Sequence, residues 1–298
     1  MAGRVSPPVA ATANGRTLLL VDADLHCTEE GQGLPLLVHH GGPGLDHTVI
    51  APHLGPLANH LCLICYDHRG SGRSARPRGR DPYHIDHFVA DIEGVARGLG
   101  LNRFALLGHS FGGIVALRFA LAHPDALSHL ILVCSPTSHH FIDDVEAALP
   151  HYLDAQAFSE LNSLQDSEPS DNVMRRSLEL LAPIYFRDPG HLSELGLDSV
   201  RFEPQAQAVW DSLEGFDLRP RLGETQVPTL VIAGAHDHSV TPERAREAAD
   251  ALPQGRLLVM KNSGHYPFVE EPEPFLSAVL GFLGFKVKKK GLFRRRSS

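Results

Sequence analysis

Seven short apolar runs punctuate the chain: TLLLVD (17–22), LPLLVH (34–39), LCLICY (61–66), RFALLG (103–108), LILVCS (130–135), TLVIAG (229–234) and RLLVM (256–260). Between them, apolar residues recur at three- and four-residue spacing. Phe88, Ile92, Val95 and Leu99 share one helical face before the fourth run, and Ile114, Leu117 and Leu121 share one after it. Runs without polar alternation suit strands buried on both faces, and a helix between successive strands makes them parallel. The expected class is therefore α/β, a mostly parallel sheet with helices on both faces. The pattern breaks between 136 and 220, where polar, helix-leaning pieces such as HFIDDVEAALPHYLDAQ and VMRRSLELLAPIYF carry no strand run. This stretch reads as an inserted helical cap. The expected division is a core over 1–135, the cap over 136–220, a second core part over 221–285 and a basic tail over 286–298.

At 298 residues and 43% hydrophobic content, the chain can bury a large core. No stretch approaches the roughly 20 apolar residues of a membrane span, and MAGRVSPPVAATANG lacks the apolar segment of a secretory signal. No stable membrane insertion is expected, and a cytoplasmic location is. The tail KVKKKGLFRRRSS holds seven Lys and Arg, and removing them from the formal −8 leaves −15 on the body. Such an acidic body argues against nucleic-acid binding, and the tail reads as a solvated, disordered end. Cys27, Cys62, Cys65 and Cys134 are too few for a disulfide scaffold. CLIC lies in a strand pattern that points its two sulfurs to opposite faces, so core thiols are expected. The close histidine pairs, His84 with His87 and His236 with His238, lack carboxylate or Cys partners at ligand spacing, so no metal is expected.

One motif joins a strand directly to a helix. In LLGHSFGG, Ser110 is the centre of Gly108-His109-Ser110-Phe111-Gly112, a G-x-S-x-G sequence. A nucleophile on a tight strand-to-helix turn sits in strained backbone, and glycines two residues to either side relieve the crowding. Phe111 then offers its N–H at a helix start, where the dipole favours a developing anion. A serine hydroxyl needs a base. His265, in NSGHYPF, follows the last candidate strand and can reach the C-terminal edge of the sheet. Asp237, in VIAGAHDHSVTPE, follows the penultimate strand, ahead of a helix start with Thr241 as N-cap and Pro242 at the first position. A carboxylate there can hold the imidazole in one tautomer and stabilise its cation. No acid follows LILVCS until Asp143.

The order Ser, Asp, His resembles that of the α/β-hydrolase superfamily. The chain is similar, more narrowly, to the proline iminopeptidase (prolyl aminopeptidase) group. HGGPG (40–44), YDHRGSGRS (66–74) and GHSFGG (108–113), with GAHD and SGH, carry the resemblance across the chain outside cap and tail. It implies an α/β-hydrolase fold and a serine hydrolase working through an acyl-enzyme. It also implies that Gly42 and Phe111 give their N–H groups to the oxyanion, with Gly41, Pro43 and Gly44 shaping the loop. His109 and Phe111 stand where that group commonly has Gly and Trp, and AVWDSLEGF (208–216) is a partial echo of its W-x-x-W-E segment. Gly70 to Ala75 also fits a dinucleotide-binding expression, but Pro77 and RPRGRDP deny it the following helix, so no cofactor is expected. Asp67 and Arg69 are expected to pair nearby.

The implied substrate is a short peptide or small molecule. If it is an N-terminal proline or another small residue, its amine needs a carboxylate, with Asp143, Asp144, Glu146, Glu203, Asp211 and Glu214 as candidates. Trp210 and Phe216 would line an apolar wall or anchor the cap. An esterase or lactonase acting on a small metabolite with the same triad is the alternative. A non-catalytic binding protein on this scaffold is the third reading.

Overall fold

The computed structural model describes residues 14–286. Eight strands form one sheet: β1 (Asn14–Leu19), β2 (Asp24–Glu30), β3 (Pro35–His39), β4 (Cys62–Tyr66), β5 (Phe104–His109), β6 (Leu127–Val133), β7 (Thr229–Gly234) and β8 (Gly255–Met260). Their spatial order is β1-β2-β4-β3-β5-β6-β7-β8. β1 and β2 pair antiparallel, as do β2 and β4, and every later pairing is parallel. The basic tail lies outside the described residues, apart from Lys286.

All seven apolar runs fall on or beside strands, and an eighth strand, β2, is added to them. β2 reads DLHCTEE, in which His26 and the acidic ends interrupt any apolar run. Its pairing with β1 and β4 supplies what its side chains do not. β1 ends earlier than its apolar run suggests, because Leu19 and Val21 at this antiparallel edge are 79% and 94% exposed.

The inner strands alternate between two cores, one on each face. Leu37, Ile64, Leu106, Leu132 and Val231 pack on one side, and Leu36, Val38, Leu107, Ile131 and Ile232 on the other. Cys62 and Cys65 obey the same alternation and face opposite cores, and the four cysteines are free thiols. The helices are α1 (Ala51–Leu54), α2 (Ile85–Gly98), α3 (Phe111–Ala122), α4 (Phe141–Tyr152), α5 (Ala155–Gln165), α6 (Asp171–Tyr185), α7 (Pro242–Ala251), α8 (Pro267–Glu270) and α9 (Pro272–Phe282). α2 buries the face bearing Phe88, Ile92 and Val95, whereas α3 is buried nearly all round. Among the described residues no helix is long and apolar enough to cross a membrane.

Between β6 and β7 the chain forms α4, α5 and α6 and a series of 3-10 turns, with a small core of its own around Leu153, Leu161, Leu180 and Ile184. Hydrogen bonds tie this segment to the loop after β3: Glu203 N–H donates to Gly44 O (2.9 Å), and Arg201 N–H donates to Asp46 Oδ2 (2.9 Å). Asp67 and Arg69 do not pair with each other. The buried Arg69 guanidinium grips Asp91 of α2 at 2.6 and 2.8 Å and reaches Asp22 at 3.3 Å. Asp67 instead accepts from His47 and from the Arg73 N–H (2.8 Å).

Candidate active site

Ser110 occupies the corner between β5 and α3 with φ 53°, and only Cys134 shares a positive φ among the described non-glycine residues. L-residues adopt this region at a cost, so surrounding structure must hold it. The flanking glycines are steric requirements. A Cβ on Gly108 would stand 2.5 Å from Gly112 O, and one on Gly112 would stand 2.3 Å from both His39 O and His40 O. The elbow therefore presses against the end of β3, and any side chain there would force the strands apart.

Phe111 is the first residue of α3, so its N–H has no intrahelical acceptor. Facing it is the loop that follows β3. Gly42 takes φ +58° and starts a turn in which its carbonyl accepts from Leu45 N–H (3.2 Å). Its own N–H has no backbone partner among the described residues. His40 Nδ1 lies 2.9 Å from Gly41 O, and because the peptide is trans, this contact points the Gly42 N–H the other way.

His265 and Asp237 come together from loops 28 residues apart, with Nδ1 to Oδ2 at 2.7 Å. Both are almost wholly buried. Burial alone would raise the Asp237 carboxyl, but the His265 charge and the hydrogen bonds from His265, Val240 and Ser239 outweigh it and hold the group below its ordinary value. Ser239, which no sequence motif marks, joins them: its Oγ lies 2.7 Å from Asp237 Oδ1 and 3.0 Å from His265 Nδ1. The main chain of His265 is held from two sides, its N–H by Tyr185 O and its carbonyl by His109 Nε2 at 2.9 Å. Thr241 and Pro242 cap α7 as N-cap and first residue.

Ser110, Phe111, Gly42 and His265 line one cavity of about 290 Å³, while Asp237 sits behind the imidazole, bonded to it. The rest of the wall is largely apolar and comes mostly from the segment between β6 and β7: Phe141, Val145, Met174, Leu178, Leu181 and Trp210, with Tyr185, Ser177 and Gln207. Trp210 packs edge-on against Phe111, with ring centroids 5.7 Å apart, and its Nε1 donates to Gln207 Oε1. The Gln207 amide donates in turn to Pro43 O (2.6 Å). Phe216 does not line the cavity but is buried in the core on the α2–α3 side.

None of the six acidic candidates lines the cavity. Asp144 pairs with Arg244 (2.8 Å), Glu203 with Arg76 (3.0 Å) and Asp211 with Arg80, whereas Asp143, Glu146 and Glu214 are exposed. Their spacing on polar helices and turns left them free to face solvent or arginine.

Two clusters gather potential metal donors within 4.8 Å among the described residues. In the cluster of Asp46, His47 and Asp67, the Asp46 carboxylate accepts from the Thr48 and Arg201 N–H groups, and the Asp67 carboxylate accepts from the Arg73 N–H and from His47. Cys134, Asp237 and His265 form the other, with burial pushing the Cys134 thiol far up. His109, fully buried beside His265, is pushed down to about 3, first by desolvation and then by the His265 charge, so it stays neutral.

The chain belongs to the alpha/beta hydrolase fold family, which matches residues 35–272. It is similar to RutD of Caulobacter sp. (strain K31), named for carbamate hydrolysis, at 32% identity over 269 residues, covering 82% of this chain and 93% of that one. Among solved structures it is similar to the proline iminopeptidase of Mycobacterium smegmatis (TM-score 0.74, 27% identity, 91% of this chain and 97% of that one). It is also similar to a thermophilic esterase from Thermogutta terrifontis (TM-score 0.70, 26% identity, 92% and 98%). The protein is a hydrolase by family.

Proposed function

We propose that the protein is a serine hydrolase with Ser110 as nucleophile, His265 as base and Asp237 as its carboxylate partner, acting on substrates with a neutral, apolar acyl group. Residues 136–220 act in this reading as the cap that selects that group. Ser110 Oγ bonds to the substrate carbonyl carbon while its proton passes to His265 Nε2. The resulting oxyanion rests on the Gly42 and Phe111 N–H groups. Collapse breaks the bond to the leaving group, which takes the proton from His265, and water then repeats the cycle on the acyl-enzyme.

The single observation that carries the acyl preference is that, among the described residues, no carboxylate lines the cavity around Ser110 and His265. A prolyl or other amine-terminal acyl group would bring an ammonium into an apolar wall with no counter-charge, which is costly. An ester or lactone of a small carboxylic acid brings none. The iminopeptidase reading draws support from the shared motifs and from the relative of that name.

A matched pair of p-nitrophenyl esters tests the choice. Prolyl and cyclopentanecarbonyl esters share ring size and leaving group and differ in NH₂⁺ against CH₂. The cyclopentanecarbonyl ester is expected to show the higher kcat/KM, and a prolyl preference would restore the peptidase reading. A fluorophosphonate is expected to label the wild-type chain and not S110A. An unlabelled wild type would instead support a non-catalytic binding protein.

A further inference from the structure

We propose that Ser239 is a positioning residue of the catalytic machinery, whose hydroxyl joins Asp237 and His265 in a closed ring; this rests on the triad reading above. The contact between His265 Nδ1 and Asp237 Oδ2 at 2.7 Å, with the carboxylate ionised, requires a hydrogen on Nδ1. Ser239 Oγ, 3.0 Å from the same nitrogen, can therefore only accept there. Its own hydrogen has one destination, Asp237 Oδ1 at 2.7 Å. Every proton in the ring is thereby assigned, and the lone pair of His265 is left on Nε2, the atom that must take the proton of Ser110.

The same residue also fixes the carboxylate. Asp237 Oδ1 accepts from the Ser239 N–H (2.9 Å), the Ser239 hydroxyl and the Val240 N–H (3.0 Å). Three donors on one oxygen hold the carboxylate plane and present the other oxygen to the imidazole. Ser239 is 3% exposed yet lines the cavity beside His265, so its side chain also separates the Asp237–His265 contact from cavity water. When His265 becomes a cation, Oγ offers Nδ1–H a second acceptor without reorganisation.

The test uses the full chain and a p-nitrophenyl ester. S239A retains the backbone N–H and loses the ring; it is expected to lower kcat about tenfold with KM changed less than about twofold. S239T, which keeps the hydroxyl, is expected to restore most of the rate. In a D237N background the S239A step is expected to cost less than about twofold, because both changes break one network. The low-field proton resonance of His265 Nδ1–H should move in S239A and return in S239T. An unchanged rate in S239A overturns the proposal, as does a full loss in the D237N background with the resonance unmoved. A wild type that a fluorophosphonate fails to label at Ser110 overturns the triad reading itself, whereas a labelled wild type with an unaffected S239A overturns only the role of Ser239.

Discussion

Two walls meet over Ser110, and they are built from different materials. The lower wall, at the edge of the sheet, is main chain: the elbow, the loop after β3 and the loops bearing Asp237 and His265 approach so closely that glycine is the only residue that fits. A Cβ on Gly41 would lie 2.4 Å from His109 Nδ1, and one on Gly234 would lie 1.9 Å from Gly264 O. The upper wall, from the cap, is side chain, with Met174, Leu178, Leu181 and Trp210 laid over the opening. Backbone geometry of the first kind cannot drift without losing the chemistry, whereas a wall of the second kind can be rebuilt one side chain at a time. In the proposed reading, reaction type and selectivity are thus stored separately.

The largest effect expected from breaking the lower wall is loss of turnover. S110A and H265A should each reduce kcat with a p-nitrophenyl ester by about 10⁴-fold or more, with no additive loss in the double variant, because the groups act as one unit. Changes of comparable size from cap substitutions would contradict the separation. Steady-state kinetics on the three variants, with unfolding midpoints to confirm intact folds, decides it.

Next in size is an acid sensitivity strongest in the lower wall. His39, His40 and His68 are buried against one another, with the His40 and His68 ring centroids 3.4 Å apart, while His109, in the elbow, is buried against His265, Tyr266 and Phe268. Burial holds His40 down at about 4 and His109 at about 3, and pushes His39 and His68 well below 6.5. In the unfolded chain each returns to about 6.5, so below that pH the unfolded state binds more protons than the folded one. Stability is present above pH 6.5 and falls as the pH drops toward 4, by at most about 1.4 kcal/mol per pH unit for each histidine. Urea unfolding between pH 7.5 and 5 should show this slope. H68F should flatten it, since among the described residues neither His68 ring nitrogen has a hydrogen-bond partner to lose.

The same division explains how much could be read from sequence. The α/β class, seven of the eight strands and the elbow announce themselves because doubly buried strands are unbroken apolar runs and because crowding leaves glycine at fixed offsets from Ser110, whereas the spatial order β1-β2-β4-β3-β5-β6-β7-β8 is set by pairing that no run encodes. β2 has no such run, since its place is set by hydrogen bonds to its neighbours. Ser239 is silent for another reason: a serine two residues after an aspartate is a common turn pattern, and only the folded approach of His265 gives it a role. The cap is least legible, because helical spacing tells that Trp210 and Phe216 are apolar anchors but not which of them meets the cavity. The acidic candidates failed there on the same ground.

A smaller effect sharpens the upper wall. Trp210 touches Phe111 and Phe141 at the cavity, so W210A removes a large apolar face from the cavity wall. Its expected signature is a KM raised about tenfold for apolar esters with kcat lowered much less, the pattern of lost uniform binding. A fall in kcat equal to that in kcat/KM would mean that Trp210 acts through Phe111 on the oxyanion donor, and the two walls would be less separate than their construction suggests.

The smallest expected effect bears most directly on substrate class. Asp144 of α4 and Arg244 of α7 join cap to core through contacts at 2.8 and 3.1 Å, and both side chains are partly solvated. Such pairs contribute about 0.5 to 1 kcal/mol, so D144N should lower stability by no more than that. Its kinetic consequence separates two functions for one carboxylate. If Asp144 only fastens the cap, D144N changes the prolyl and cyclopentanecarbonyl esters alike. If the cap swings so that Asp144 meets a substrate amine, D144N lowers kcat/KM for the prolyl ester alone. The Arg244 grip argues for the first outcome, because releasing Asp144 toward the cavity would leave the partly buried guanidinium with only the longer contact to Glu247 at 3.6 Å.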